Sequence, residues 1–151
     1  MGSEMCIRDR LRLAALGALL ALTFALPTGV LAADISIDML NKRDDGAKMV
    51  YSEDIARIDV GDTITWLPTS KGHNVEFIAG PDGWEAPKKS KLSKEYSYTF
   101  DTPGVYLYQC TPHKSMGMIA VVVVGDGDND ISGAKVKGKS KKKLKEILEQ
   151  L

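Results

Sequence analysis

The sequence predicts an all-β antiparallel sandwich followed by a short C-terminal helix, and three observations carry that prediction. Apolar residues alternate with polar ones over several short stretches, a period of two that sends successive side chains to opposite faces of a sheet. Gly and Pro turns separate these stretches, and no segment of helical periodicity lies between them. Helical spacing of apolar residues begins only after Gly125. A chain of 151 residues with 44% hydrophobic composition has the make-up of one globular domain, which argues against a multi-domain enzyme.

The elements follow in chain order. Arg8, Arg10 and Arg12 precede an apolar run over residues 13–26, and Val30-Leu31-Ala32 offers a small-residue cleavage point before Ala33. Residues 1–32 therefore read as an export signal removed from the mature protein, because the run falls short of the roughly 20 apolar residues that span a bilayer. Residues 1–9 carry Glu4 and Asp9, which is untypical of such a signal, and no function is placed on them. With no cysteine at the cleavage point to carry a lipid and no second long apolar segment, the product is expected in the periplasm, soluble and without a membrane anchor.

The sandwich is expected over residues 33–125. Ile35, Ile37 and Met39 alternate with Ser36 and Asp38; Ile58, Val60, Ile64 and Trp66 continue the pattern around the turn signal Gly61-Asp62. Tyr96, Tyr98 and Phe100 lead into the turn Asp101-Thr102-Pro103-Gly104. Residues 105–110 then alternate again, and residues 119–124 form a continuous, mostly β-branched run. An acidic, turn-rich connector opens the extension at residues 126–151, in which Leu144, Ile147, Leu148 and Leu151 have helical spacing, and this extension is expected to pack on the same domain.

Overall charge is balanced, with 20 basic and 20 acidic residues, but it is unevenly spread. Seven lysines over residues 135–145 make the tail basic, while residues 34–133 hold ten bases against sixteen acids. The lysine run lacks the aromatic or arginine interleaving of a polyanion-binding surface, so it reads as a solvated helix face and no nucleic-acid partner is expected.

The chemistry sits in Lys71-Gly72-His73-Asn74-Val75 and in the stretch from Cys110 through Thr111-Pro112-His113 to Met116-Gly117-Met118. The mature chain has two histidines and one cysteine, and a single cysteine in an oxidising compartment is a buried thiol, a reactive thiol or a metal ligand. His113 follows Cys110 by three residues, and Met118 lies five further on, with Pro112 to stiffen the loop and Gly117 to turn it back. His73 is expected at the start of the strand that follows the 68–72 loop. Two imidazoles, one thiolate and one weak thioether are the donor set of a copper site that carries single electrons, whereas zinc wants a stronger fourth ligand. The competing readings are a copper enzyme or storage protein and a metal-free adhesion-type sandwich.

The loop Cys110-Thr111-Pro112-His113-Lys114-Ser115-Met116-Gly117-Met118 resembles the ligand loop of the pseudoazurins, a branch of the cupredoxins. Met39-Leu40-Asn41-Lys42, Gly61-Asp62-Thr63, Lys71-Gly72-His73-Asn74-Val75-Glu76, the Pro-Gly turn before Cys110 and the helical tail extend the likeness over nearly the whole mature chain. Plastocyanins and amicyanins share the Cys-x-Pro-His core; the Met-Gly-Met ending and the helical tail favour pseudoazurin. The resemblance implies a Greek-key cupredoxin sandwich or barrel that binds one copper ion through His73, Cys110, His113 and an axial Met118, and a monomer is the default expectation for a shuttle. It implies that Asn74 and Thr111 tie the His73 segment to the loop. It also implies electron transfer through His113 to redox proteins such as nitrite reductase, another denitrification enzyme or a cytochrome c, with Lys42 and Lys71 near the docking end. Two positions depart from the family pattern: Lys114 stands where an aromatic is frequent, and Gln109 where a docking lysine is common.

Overall fold

The computed structural model describes residues 32–151. The export signal expected over residues 1–32 thus lies, apart from its last residue, outside the described residues. Eight strands and one helix follow: β1 Asp34–Lys42, β2 Lys48–Tyr51, β3 Ile55–Ile58, β4 Thr63–Leu67, β5 Glu76–Ala79, β6 Tyr96–Thr99, β7 Gly104–Gln109, β8 Ile119–Val124 and α1 Ser140–Leu148. They form two four-stranded sheets, ordered β2-β1-β4-β6 and β3-β8-β7-β5. The predicted all-β sandwich with a short C-terminal helix is present, and the pairing adds one correction. Each sheet is mixed, because β1 runs parallel to β4 and β3 parallel to β8, while the remaining pairs are antiparallel.

The core between the sheets is built by the alternating residues. Ile37 and Met39 of β1, Ile64 and Trp66 of β4, Tyr106 and Tyr108 of β7, and Ala120, Val122 and Val124 of β8 all point inward and are buried. Phe77 sits among Trp66, Trp84, Phe100 and Tyr106, with ring centroids 5.6–6.4 Å apart at steep angles, the edge-to-face geometry aromatic rings favour. Tyr106 also ties the β7 entry turn by donating its hydroxyl to the Thr102 carbonyl at 2.6 Å.

The outer face of the second sheet is buried as well. Val105, Leu107, Ile119, Val121 and Val123 pack against Ile131, Val136, Leu144 and Ile147 from the C-terminal extension. That cover explains why β8 reads as an unbroken apolar run: a strand enclosed on both faces has no solvent side on which to place polar residues. Of the four apolar residues expected on the helix face, Leu144 and Ile147 are buried, Leu148 is half-buried, and Leu151 remains exposed beyond the helix end.

Val60, expected on a strand, instead occupies the turn after β3 and is 48% exposed. Gly61 takes φ +95° there, a left-handed conformation that ends the strand and suits glycine. The buried carboxylate of Asp62 organises this turn, accepting the Asp59 amide at 2.9 Å and the Ala33 amide at 2.6 Å. β2 carries no sequence signal of its own, being four residues long with Met49 at φ 50°. Among the described residues no helix is long and apolar enough to cross a membrane.

Candidate metal centre

β7 and β8 are a hairpin whose last pair is Gln109 with Ile119, and the candidate loop, residues 110–118, is what lies between them. Its ends are drawn together by the Cys110 amide, which donates to the Met118 carbonyl at 3.0 Å. Inside, the His113 amide donates to the Cys110 carbonyl at 3.1 Å, and the Met116 amide to the His113 carbonyl at 2.9 Å. These bonds wind the chain into successive tight turns. Gly117, at φ +104°, provides the left-handed step that returns the backbone to β8.

The turns bring His113 back over Cys110, and His73 reaches the same point from the segment just ahead of β5. Nitrogen and sulfur donors of His73, Cys110 and His113 all lie within 4.8 Å of one another. The two Nδ1 atoms are 3.1 Å apart, and the Cys110 Sγ is 3.7 Å from His73 Nδ1 and 3.4 Å from His113 Nδ1. His73 and Cys110 are fully buried, whereas His113 is half-buried. Met118 is fully buried in the same core cluster as Cys110. The Pro112 ring and the Met116 side chain beside His113 in the chain are exposed.

The tautomer of His73 follows from its partner. Its Nε2 lies 2.8 Å from Asn41 Oδ1; assigning Oδ1 as the acceptor makes Nε2 the protonated nitrogen and leaves a lone pair on Nδ1, the atom that faces Cys110 and His113. Burial, and next the neighbouring His113, push the His73 pKa below its ordinary value, so the imidazole is held neutral, the form that binds metals. Burial pushes the Cys110 thiol up, against hydrogen bonding from the backbone of Asn74 and His113. A nitrogen lone pair, a second imidazole and a thiol aimed at one buried point, with no carboxylate among them, fit a borderline or soft transition-metal ion.

The surrounding hydrogen bonds fix this arrangement. Asn74 accepts the Thr111 amide at 2.8 Å and donates through Nδ2 to Thr111 Oγ1 at 3.0 Å, joining the His73 segment to the loop as the sequence resemblance implies. Ser90 accepts from Asn74 Nδ2 through its carbonyl and from the Val75 amide through its hydroxyl, and Tyr51 donates to the Asn74 carbonyl at 2.8 Å. Gln109 is only 7% exposed and donates to Glu76 at 2.8 Å, so at this position the side chain braces β5 against β7. Asn41, which fixes the His73 ring, had no role assigned from sequence. It sits within the quoted stretch Met39-Leu40-Asn41-Lys42, but nothing in that stretch alone points to an imidazole more than thirty residues away.

Comparison with known proteins places the geometry in context. The family described as copper binding proteins, plastocyanin/azurin family, matches residues 37–125. A pseudoazurin from Methylorubrum extorquens is 42% identical over 120 residues, covering 78% of this chain and 80% of its own length. A pseudoazurin from Paracoccus pantotrophus is 40% identical over 136 residues, covering 89% of this chain and 92% of its own. The crystal structure of native pseudoazurin from Hyphomicrobium denitrificans superimposes with a TM-score of 0.73 at 33% identity, covering 79% of this chain and 98% of that one.

The Asn74 bridge yields a direct prediction. Asn74→Ala removes both bonds to Thr111, and metal affinity, measured by competition with a chelator, is expected to fall by about 10- to 100-fold, the usual effect of removing a group that orients ligands. Unchanged affinity would mean that the loop holds its shape without this bridge.

Proposed function

The chain belongs to the plastocyanin/azurin family of copper-binding proteins, as a pseudoazurin-like cupredoxin and electron carrier, and we propose that it holds its copper ion with His73, Cys110, His113 and Met118. The observation that carries this assignment is the convergence of the two histidines and the one cysteine of residues 33–151 on a single point, three donors from two separate segments of chain. Met118 completes the set because it closes the same loop and is buried with Cys110.

Copper, when bound, supplies a one-electron couple, and the residues around it decide how that couple is used. His73 and His113 offer nitrogen donors, Cys110 offers a thiolate once its proton leaves, and Met118 offers a soft thioether that favours the reduced ion. Asn41 and Asn74 keep the donors from reorienting between oxidation states. A nearly complete set of protein donors leaves no ready position for a substrate, which favours carriage over catalysis. His113 alone of the three converging donors reaches the surface, and its ring edge is the route for the electron.

We further propose that the protein works in the periplasm and delivers electrons to an acidic redox partner such as nitrite reductase or another denitrification enzyme, or exchanges them with a cytochrome c. The basic and apolar character of residues 8–26 supports export, and recovery of a periplasmic protein that begins near Ala33, by N-terminal sequencing, checks it. Lys42 and Lys71 are exposed and Lys114 is half-buried, giving a basic rim suited to steering an acidic surface.

Two experiments test these readings. Copper-loaded protein is expected to show an intense thiolate-to-copper band in the visible that Cys110→Ser abolishes; a colourless copper complex of the wild type would overturn the ligand assignment. Lys42→Glu with Lys71→Glu is expected to slow electron transfer to an acidic nitrite reductase at low salt, with the deficit shrinking as added salt screens charge beyond about 8 Å. Equal rates at low salt, with an unchanged copper spectrum, would remove the docking role and leave the site intact.

A further inference from the structure

The stretch between His113 and Met118 is held from outside the loop as well as from within it. Loop amides satisfy the loop carbonyls of Cys110 and His113, and the Ile119 amide at the start of β8 satisfies that of Gly117, but the carbonyls of Lys114 and Ser115 accept from the C-terminal extension. Ser140 donates its hydroxyl to the Lys114 carbonyl at 2.7 Å, and the Lys139 amide donates to the Ser115 carbonyl at 2.9 Å. Gly138, at φ +56°, lies so close that a Cβ there would collide with the Ser115 carbonyl oxygen. A glycine is therefore required both by the backbone conformation and by the approach of the two segments.

Ser140 is unusual for its place. It opens α1, where a serine commonly caps the helix with its hydroxyl, yet the capping position is Lys139, without any side-chain cap bond. The hydroxyl goes to the loop instead, and the residue is fully buried while Lys141 and Lys142 beside it are exposed. The helix that carries it is anchored independently of the loop. Leu144 and Ile147 sit in the outer core, and Lys143 Nζ pairs with Asp54 at 2.7 Å, the same carboxylate that Arg43 holds at 3.2 Å.

We propose that Ser140 is a positioning residue for the metal site: through the Lys114 carbonyl it ties the His113–Met118 span to a helix fixed on the sheet, so that the thioether stays seated against the imidazole and thiolate donors. Asn74 holds the Cys110 end of the loop at Thr111, and Ser140 holds its middle at Lys114, next to His113. The inference rests on the ligand assignment above for its consequence in copper binding, while the clamp itself concerns the chain alone.

Ser140→Ala is the test, because alanine favours the helix intrinsically and removes only the bond to the loop. Loss of one hydrogen bond corresponds to roughly tenfold in a local opening equilibrium. Two rates are expected to rise by about that factor: extraction of copper by a bathocuproine-type Cu(I) chelator, and hydrogen exchange at the Met116 and Met118 amides of the metal-free protein. Phe100→Leu, a core change remote from the extension, serves as the control that lowers stability without touching the clamp. Wild-type rates in Ser140→Ala, or equal acceleration in Phe100→Leu, would overturn the proposal. The exchange measurement uses no copper, so it decides on the clamp even where the visible spectrum refutes the ligand assignment.

Discussion

The pairing of β7 with β8 is the constraint on which the candidate site depends. With Gln109 opposite Ile119 and the Cys110 amide on the Met118 carbonyl, nine residues close between two fixed strand ends, and they do so as a chain of tight turns. A shift of one residue in that register would send Cys110 to the outer face of the sheet, since successive strand side chains alternate sides. Both strands are buried on both faces, which makes such a slip costly in either direction. The precision of the loop is thus inherited from the sandwich and from the extension that covers it.

Placing an imidazole and a thiol in a protein interior, as His73 and Cys110 are, is unfavourable unless their remaining polar atoms find partners. A buried donor or acceptor left unpaired costs about 1–3 kcal/mol, and at His73 the structure meets this with Asn41 on Nε2. Asn41 fixes the ring of His73, and Asn74 ties the His73 segment to the loop that carries Cys110 and His113. The same bonds resist the reorientation that a change of oxidation state would otherwise invite, which suits a carrier that must exchange electrons with little rearrangement.

Much of this was legible from the residues. Cys110, His113 and Met118 stand at spacings a single loop can bring together, and the alternation of Ile37, Met39, Ile64, Trp66, Tyr106 and Tyr108 matches the inner core. Asn74 with Thr111 followed from resemblance and is present as a paired hydrogen bond. What was not legible depends on long-range contact. Parallel pairing of β1 with β4 and β3 with β8 leaves no local pattern. Val60 carries strand propensity that the Gly61 turn overrides. Asn41 and Ser140 are ordinary polar residues in sequence, and their roles come from the fold that sets one against His73 and the other against Lys114.

The central claim is that the chain builds its donor site in advance and that copper occupies it without refolding the loop. Crystal structures of the metal-free and copper-loaded protein, solved under matched conditions, test this most directly. The account predicts that His73, Cys110, His113 and Met118 coincide within about 0.5 Å, the tolerance expected of a preorganised site, with the Asn74 bonds to Thr111 intact in both. A loop over residues 110–118 that rearranges on loading, or a copper ion held by a different set of side chains, would contradict it.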